Sequence, residues 1–299
     1  MGFWARFSLR FMFRAYYECL NRRLLPYLLS KSKMNGKKYS LSFNLKEAIQ
    51  SNTLISGANH SGKSNLAFNI ASVLQHYGQV IAIDSSGIWK RKSDIPLYFN
   101  IEYQSQPYPI MKCESIIYDT SHLRATEQRI FLNDLTDAIW YRNLENPQVK
   151  TWLIVEESSN FCRNVRGQLS ENILRIASVG RNIGVRMILL TVDLALLDTI
   201  FTRLSEQRFH GKLNIEANSK RRFKAYYGKD WQYIATHDLE TGWFIWLSNG
   251  KLQIVKYPLF VNKRKPRRYI PKPQPTIYED AWKPRRRKSW LEKLLAKVF

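Results

Sequence analysis

The stretch GANHSGKS, residues 57–64, matches the pattern G-x-x-x-x-G-K-[ST], and its flanks decide how it is interpreted. The apolar run NTLIS (52–56) before it predicts a buried strand. The run NLAFNIASVLQHYG (65–78) after it has apolar residues at helical spacing and predicts a helix that ends near Gly78. A phosphate-binding loop lies between a buried strand and a helix, and both are predicted here. A structural turn that matched the pattern by chance would not be expected to have a strand before it and a helix after it.

The residue types of this loop suit the phosphates of a nucleotide such as ATP. Gly57 and Gly62 allow the backbone to curl so that successive N–H groups point at phosphate oxygens, and the helix start adds partial positive charge. Lys63 can reach the β- and γ-phosphates as a catalytic cation, and the Ser64 hydroxyl can ligate Mg²⁺. The predicted nucleotide contacts are Gly57, Ala58, Asn59, His60, Ser61, Gly62, Lys63, Ser64 and Asn65.

Strand-type and helix-type runs alternate along the rest of the central chain. This alternation predicts an α/β fold with a largely parallel central sheet flanked by helices, in which ligands bind at the carboxyl ends of the strands. The predicted strands are 79–84, 115–121, 151–157, 185–193, 208–214 and two strands within 242–258 that turn at Asn249-Gly250, and the predicted helices are 124–142 and 170–184.

The strand TWLIVEE (151–157) ends in two carboxylates. Glu156 would help to hold Mg²⁺ as a metal ligand, and Glu157 would act as the catalytic base that polarises the water attacking the γ-phosphate. The alternative is a strand that simply ends at the surface, where acidic residues are common. The upstream phosphate-binding loop favours the functional interpretation.

Positive charge is concentrated at the two ends of the chain. The 299 residues include 47 Lys and Arg against 24 Asp and Glu, a net charge of +23. Residues 1–38 carry nine basic residues and one acid, and residues 263–299 carry thirteen basic residues and three acids, so the ends contribute +8 and +10. We therefore divide the chain into a basic aromatic N-terminal segment (1–38), a nucleotide-binding domain (39–262) and a basic Pro-rich linker with a C-terminal amphipathic helix (263–299). Basic ends of this kind bind phosphate, in nucleic acid or in anionic lipid.

The N-terminal segment predicts one or two helices over residues 1–35, broken at Pro26, and KKYSLSFNL (37–45) predicts a strand. Aromatic residues alternate with evenly spaced arginines over residues 1–30, a composition that favours a membrane interface or a partner surface. A helix docked on its own domain and a transit peptide remain alternatives. No uninterrupted apolar run is long enough to span a bilayer, and three widely spaced cysteines argue against a disulfide framework or a zinc site.

An ordered series of motifs over residues 45–225 resembles the FtsK/HerA superfamily of DNA-pumping ATPases, which have a RecA-like P-loop NTPase fold. The series comprises GANHSGKS (57–64), IAIDSSGIW (81–89), SIIYDTSHL (115–123), LIVEESSNF (153–161) and VGRNIGVRMILLT (179–191). In layout the chain looks most like the genome-packaging ATPases of membrane-containing viruses. The resemblance implies a Walker A loop, a Walker B strand, and a homo-oligomeric ring, a hexamer, in which an arginine of the neighbouring copy completes each site. Arg181 is the first candidate for that catalytic arginine, and Arg175, Arg203 and Arg208 are the alternatives.

The chain also departs from the pattern of this superfamily. Glu156 replaces the usual Asp of Walker B, and Val192 stands where the superfamily has a glutamine that senses the γ-phosphate. A barrel domain like that of the cellular members has no room in the 50 residues before the motor. These departures leave open how hydrolysis is coupled to movement.

The resemblance implies a Mg²⁺- and ATP-dependent DNA translocase that packages a viral genome into a capsid, located in the host cytoplasm or the virion and associated with a membrane or a capsid vertex through residues 1–30. One alternative is a conjugation or filamentous-phage assembly motor. A second alternative is a DNA or capsid tether whose nucleotide site switches shape with little turnover. DNA-stimulated ATP turnover would separate the tether from both motors.

Overall fold

The computed structural model describes residues 50–101, 114–162, 171–213, 223–236, 238–248, 250–257 and 259–260, together with the two-residue strands at 33–34, 37–38 and 268–269. The chain divides into two compact units, Met1–Arg268 and Tyr269–Phe299, and the second contributes only Tyr269 to the described residues. Most of the predicted N-terminal helices and strand, and the C-terminal linker and helix, lie outside the described residues. No helix in the described ranges combines the length and apolar character needed to cross a membrane.

The first unit is built around a mainly parallel sheet. Nine of its strands lie in the order β11-β10-β9-β3-β8-β7-β4-β6-β5; all neighbours from β9 to β5 are parallel, and β10 is antiparallel to both β9 and β11. The predicted largely parallel sheet is therefore confirmed. The strands are β1 Lys33–Met34, β2 Lys37–Lys38, β3 Thr53–Ser56, β4 Gln79–Asp84, β5 Leu97–Asn100, β6 Ile116–Asp119, β7 Thr151–Val155, β8 Val185–Thr191, β9 Gln207–His210, β10 Trp243–Ser248, β11 Lys251–Lys256 and β12 Arg268–Tyr269.

Helices cover both faces of this sheet. Ile117 of β6 belongs to the same buried cluster as the apolar side of α1, whereas Tyr118 contacts Phe131 of α3, with ring centroids 5.3 Å apart. Because successive side chains of a strand point to opposite faces, α1 and α3 lie on opposite sides of the sheet. The helices are α1 Lys63–Leu74, α2 Trp89–Lys92, α3 Ala125–Glu145, α4 Ser158–Phe161, α5 Glu171–Val179, α6 Thr199–Leu204 and α7 Trp231–Thr236, with 3₁₀ turns at Gly180–Ile183 and Gly228–Asp230 and a helical stretch at 223–227.

Two sequence-based predictions are wrong in detail. Lys33–Met34 is a strand that pairs antiparallel with Lys37–Lys38, although helix was predicted up to residue 35. The intervening sequence is Asn-Gly, which is the strongest short-range signal for a hairpin and outweighs the helical pattern there. The helix predicted over 170–184 is α-helical only to Val179, and Gly180–Ile183 tightens into a 3₁₀ turn before Gly184 adopts a φ of 79°.

Several elements were not predicted at all. The segment after β4, where no helix was predicted, contains the single turn α2, and the short strand β5 was missed. The helices that follow β9, at 223–227 and 231–236, were also missed. Each of these elements is six residues or shorter, too short for a periodic pattern to emerge.

Candidate nucleotide-binding site

The loop of residues 57–62 joins the carboxyl end of β3 to the first residue of α1, as the pattern predicts. A Cβ atom on Gly57 would lie 2.5 Å from Ser61 Oγ, so the loop has no space for a side chain there. Gly62 has a φ of 97°, and a Cβ atom on it would lie 3.1 Å from the Gly242 backbone nitrogen. Both glycines of the pattern are therefore required by the packing and the backbone conformation.

Lys63 is buried inside this loop. Its Nζ donates hydrogen bonds to the carbonyl oxygens of Gly57, at 2.8 Å, and Ala58, at 3.0 Å. Burial lowers the pKa of Lys63, and the negative charges of Glu157 and Glu156 oppose that lowering. Among the described residues, the buried Ser61 Oγ has no hydrogen-bond partner. An ammonium group hydrogen-bonded to two carbonyl oxygens beside an unsatisfied hydroxyl fits an anionic ligand such as a phosphate chain.

Glu156 follows β7 directly and lies beside the start of α1. Its side chain is buried; Oε1 accepts a hydrogen bond from Ser64 Oγ at 3.1 Å and Oε2 accepts one from Ser86 Oγ at 2.6 Å. Burial raises the pKa of Glu156 to about 7, and the nearby Asp84 carboxylate contributes to the increase. A buried carboxylate in contact with a serine hydroxyl fits a Mg²⁺ ion that takes its remaining ligands from water and substrate phosphates. No group of three or more His, Cys, Asp or Glu side chains in the described ranges forms a metal site of its own.

Glu157 is half-buried and adopts the left-handed conformation, with φ 50° and ψ 45°, at the start of α4. In the described part of the chain, the only other residue besides glycine with positive φ is His60, at 65°, in the exposed tip of the phosphate loop next to Asn59. Non-glycine residues pay a steric cost for this conformation, and such strain concentrates at functional sites. Both strained residues of the described chain thus belong to the predicted site, and Glu157 lies close enough to Lys63 to influence its pKa.

The ends of β4 and β6 bring further polar groups to this edge of the sheet, and their roles were not predicted. Asp84 and Asp119 are paired in register, both are buried, and Lys90 Nζ donates a hydrogen bond of 2.6 Å to Asp119 Oδ2. The Ser86 hydroxyl lies between Asp84 Oδ1, at 3.3 Å, and Glu156. The sequence signal that could have found these residues is the Asp-x-Ser triplet that begins at the last residue of each strand.

The segments around β9 and β10 support the phosphate loop from outside. The Ala58 backbone N–H donates to Lys212 O at 2.6 Å, the Gly242 N–H donates to Ser61 O at 3.0 Å, and Thr241 Oγ1 donates to His60 O at 3.0 Å. These contacts join residues more than 150 positions apart, so no local sequence pattern could have indicated them.

Arg181 and Val192 lie in different places relative to this site. Arg181 belongs to the 3₁₀ turn before β8, at the amino ends of the strands, and forms an exposed ion pair with Glu206 at 3.2 Å. The phosphate loop lies at the carboxyl ends, so the structure does not bring Arg181 to the site of its own chain. Val192 is half-buried directly after Thr191, whose carbonyl oxygen accepts the Gly57 N–H at 3.2 Å.

No protein-family model and no curated protein sequence matches this chain, but its fold is similar to solved structures. One is the genome packaging NTPase B204 from Sulfolobus turreted icosahedral virus 2 in complex with ATPγS, at 18% identity and a TM-score of 0.55, covering 73% of this chain and 100% of that one. Another is B204, the DNA-packaging ATPase from Sulfolobus turreted icosahedral virus, at 17% identity and 0.52, covering 70% and 98%. A third is the bacterial conjugative coupling protein TrwBΔN70 in complex with sulphate, at 10% identity and 0.56, covering 82% and 94%.

At these identities the likeness establishes the fold. The chain has a mixed α/β fold with a mostly parallel sheet between helices, a glycine-rich loop after β3 and acidic residues after β7. The described chain therefore has the P-loop NTPase fold of B204 and TrwB, in agreement with the α/β fold that the sequence predicts.

Proposed function

We propose that this protein is an ATP-driven motor that translocates DNA and packages a viral genome into a capsid. The observation that carries the proposal is the convergence of Lys63, Ser64, Glu156 and Glu157 at one edge of a sheet shared with viral packaging ATPases. The net charge of +23 supports a polyanionic substrate such as DNA.

Each residue of the site has a role in this proposal. The backbone of residues 57–62 and the Lys63 ammonium bind the substrate phosphates, and Lys63 exchanges its carbonyl partners for phosphate oxygens. Ser64 and Glu156 would hold Mg²⁺, which would supply positive charge against the β- and γ-phosphate oxygens. Glu157 accepts a proton from the attacking water, since a half-buried carboxylate beside the phosphate loop can contact both water and substrate.

Arg181 acts in this proposal on the nucleotide of a neighbouring copy. Its location at the amino ends of the strands, away from its own phosphate loop, requires such an arrangement if it is to contact a γ-phosphate. The proposed assembly is a hexameric ring. An arginine supplied by a neighbour stabilises the charge that builds on the transferred phosphoryl group.

The two ends of the chain have separate roles. Residues 263–299 supply sequence-independent DNA affinity, because their thirteen basic residues contact phosphates without reading bases. Residues 1–30 attach the motor to a membrane or a capsid vertex, in the host cytoplasm or the virion. Deleting residues 263–299 should reduce the slope of log K for DNA binding against log salt by several units. Deleting residues 1–30 should abolish co-sedimentation with anionic liposomes or virus shells, while ATP turnover persists.

The test of the nucleotide site is steady-state ATP turnover with and without DNA. Native protein should hydrolyse ATP, and DNA should accelerate the reaction. Lys63→Ala should abolish turnover and weaken ATP binding, because the loop loses its only buried ammonium, whereas Lys150→Ala, an exposed lysine at the opposite edge, should change neither. Undiminished turnover in Lys63→Ala would refute the nucleotide site.

The likeness to the conjugative coupling protein favours a second candidate, a motor that transfers DNA between cells. Copurification with capsids from infected cells supports packaging, and copurification with a membrane-bound transfer apparatus supports the second candidate. The third candidate, a tether with little turnover, is supported by Val192, which cannot donate a hydrogen bond to a γ-phosphate. A native chain that binds ATP and DNA but shows no DNA-stimulated turnover would favour the tether.

A further inference from the structure

A cavity of about 350 Å³ lies on the face of the sheet opposite to α1. Phe209 of β9 packs into the apolar cluster around α1, and Arg208, its neighbour in the strand, therefore points to the other face. This volume is at the lower end of the range of small-ligand sites. The cavity is lined by Thr199, Arg203, Arg208, Ala225 and Tyr226.

Two arginines in this wall have no acidic partner in the described part of the chain. Arg208 Nε donates to Ser205 O at 3.0 Å, and its guanidinium carbon lies 5.5 Å from the ring centroid of Tyr227, but no ion pair joins Arg203 or Arg208 to a carboxylate of the described residues. Glu206, the acid nearest to both arginines in the sequence, pairs with Arg181 at 3.2 Å, and Asp198 accepts the Ile200 N–H at 2.9 Å as the cap of α6. The wall therefore carries positive charge that no described carboxylate neutralises.

Both arginines have structural roles, but neither role supplies a negative charge. Arg203 is exposed in the last turn of α6, where a positive charge interacts favourably with the helix dipole. Arg208 is half-buried on β9, where its bond to Ser205 O at the end of α6 and its contact with Tyr227 hold the guanidinium in place. Burial and, beyond it, the positive charge of Arg208 lower the pKa of His210 to about 3. A guanidinium held in this way at the wall of a cavity remains able to bind an anionic ligand.

We propose that this cavity binds a backbone phosphate of a nucleic-acid strand, with the adjoining nucleotide against Tyr226. This inference rests on the proposed function, since it names where the translocated DNA contacts the motor domain. Two guanidinium groups can donate N–H hydrogen bonds to the oxygens of a phosphodiester, and an aromatic side chain in the wall can stack on an unpaired base. Residues 39–262, which contain the cavity, carry a net charge of +5 once the +18 of the two ends is set aside, so this domain also has an excess of positive charge for a nucleic acid.

The cavity is connected to the phosphate loop through β9. Two residues beyond Arg208, His210 Nδ1 lies 2.6 Å from Ser56 Oγ, and the Gly211 N–H donates to Ser56 O at 2.8 Å. Ser56 is the last residue of β3 and directly precedes the loop. A strand bound at Arg208 is thus linked through four residues of backbone to the start of the nucleotide site.

The experiment measures equilibrium binding of a fluorescein-labelled single-stranded oligothymidylate to the full chain without nucleotide, over a series of salt concentrations. The double variant Arg203→Gln/Arg208→Gln should bind about tenfold more weakly at low salt. Its slope of log K against log salt should be smaller by about 0.7, because one phosphate contact is lost. Arg203→Gln alone, which leaves the packing of Arg208 on Tyr227 intact, should show a smaller change in the same direction.

The control is Lys150→Gln/Lys251→Gln, which removes the same charge from exposed lysines elsewhere and should leave affinity nearly unchanged. As a direct readout, an oligonucleotide with 5-bromodeoxyuridine should cross-link to a peptide containing Tyr226 in native protein, and less so in Arg203→Gln.

Three results would overturn the inference. In the first, the arginine variants match the lysine control in affinity and slope. In the second, they keep DNA affinity but lose self-association in sedimentation, which would assign the cavity to an acidic surface of another copy. In the third, native protein binds no DNA, and both the proposed function and this inference then fail. If native protein binds DNA but the arginine variants bind it equally well, only the proposal that the cavity binds DNA fails.

Discussion

Strands β4 and β6 are neighbours in the sheet and end in related sequences, Asp84-Ser85-Ser86 and Asp119-Thr120-Ser121. In both, one carboxylate oxygen of the aspartate accepts hydrogen bonds from the backbone N–H and the hydroxyl of the serine two residues later. Both aspartates are buried and paired in register. The two strand ends therefore have the same local structure, an aspartate-centred turn.

Their surroundings differ because only β4 lies next to β7. The Ser86 hydroxyl reaches Glu156 Oε2 at 2.6 Å, whereas Asp119, one strand further from the site, receives the Lys90 ammonium at 2.6 Å. The same turn thus positions a candidate metal ligand in one place and forms a structural ion pair in the other. Strand order, which is a tertiary property, decides which of two similar sequences takes part in the site.

The largest effect on ATP turnover should come from Glu157, which follows β7. Glu157→Gln should reduce ATP turnover at least ~100-fold, because it removes the proton acceptor, and should leave ATP binding intact. Glu145→Gln, an exposed acid at the end of α3, is the control and should retain turnover. If Glu156→Gln keeps ATP binding but loses turnover while Glu157→Gln loses binding, the two glutamates have exchanged roles.

A smaller effect should distinguish the two aspartates. Asp84→Asn should lower turnover about tenfold, since Asp84 also accepts the backbone N–H groups of Ile88 and Lys90 and so holds the turn that presents Ser86 to Glu156. Asp119→Asn should change turnover less than about threefold, because no bond of Asp119 in the described chain reaches Glu156. Equal losses in both variants would show that the two turns are functionally equivalent.

Substitutions of Ser86 and Ser121 should differ in ATP turnover in the same way as those of the two aspartates, but by less. Ser86→Ala removes a donor from a buried carboxylate and should lower turnover about three- to tenfold, measured at saturating ATP. Ser121→Ala, which removes a hydroxyl bonded only to Asp119 in the described structure, is the matched control. A loss in Ser121→Ala as large as that in Ser86→Ala would contradict the distinction between the two turns.

The free energy of unfolding of nucleotide-free protein should depend on pH because of the raised pKa of Glu156. Its folded-state pKa of about 7 is above its ordinary value of 4.5, so the native state holds a proton that the unfolded state releases between these values. The free energy of unfolding of native protein relative to Glu156→Gln should therefore fall as pH rises from about 5 to 7, by at most about 1.4 kcal/mol per unit, and level off above. Urea titrations at four pH values measure this difference.

The same titrations compare the two strand ends. Asp84→Asn should move the window of falling stability to lower pH, because the Asp84 charge is one cause of the raised pKa of Glu156. Asp119→Asn should leave the window in place. A difference curve that is flat between pH 5 and 7 would contradict the burial of an ionisable Glu156.

Much of the fold was predictable because long apolar runs and helical periodicity mark buried elements. The strand at Gln79–Asp84 has the predicted bounds, and α3 extends only three residues beyond its predicted end at Arg142. The short strand β5, with half-buried Leu97 and Tyr98, has neither a continuous apolar run nor clear alternation, and was missed. Short helices after β9 escaped prediction for the same reason.

The positions of the glycine-rich loop after β3 and of the two glutamates after β7 were predictable because each is a run of consecutive residues beside an apolar strand. The positioning groups were not, because Ser86 and Glu156 are 70 residues apart and meet only through the adjacency of β4 and β7. The support of the loop by Lys212 and Gly242 likewise depends on how β9 and β10 extend the sheet. The location of Arg181 at the far edge followed from neither its motif nor its spacing.

The central claim, that hydrolysis at this site moves the protein along DNA, is tested most directly by displacement of a triplex-forming oligonucleotide from duplex DNA. Native protein with ATP should release the third strand at a rate that follows ATP turnover. A non-hydrolysable ATP analogue, or Glu157→Gln with ATP, should leave the triplex intact although both bind. Rapid ATP turnover by native protein on the same duplex without release of the third strand would contradict the account.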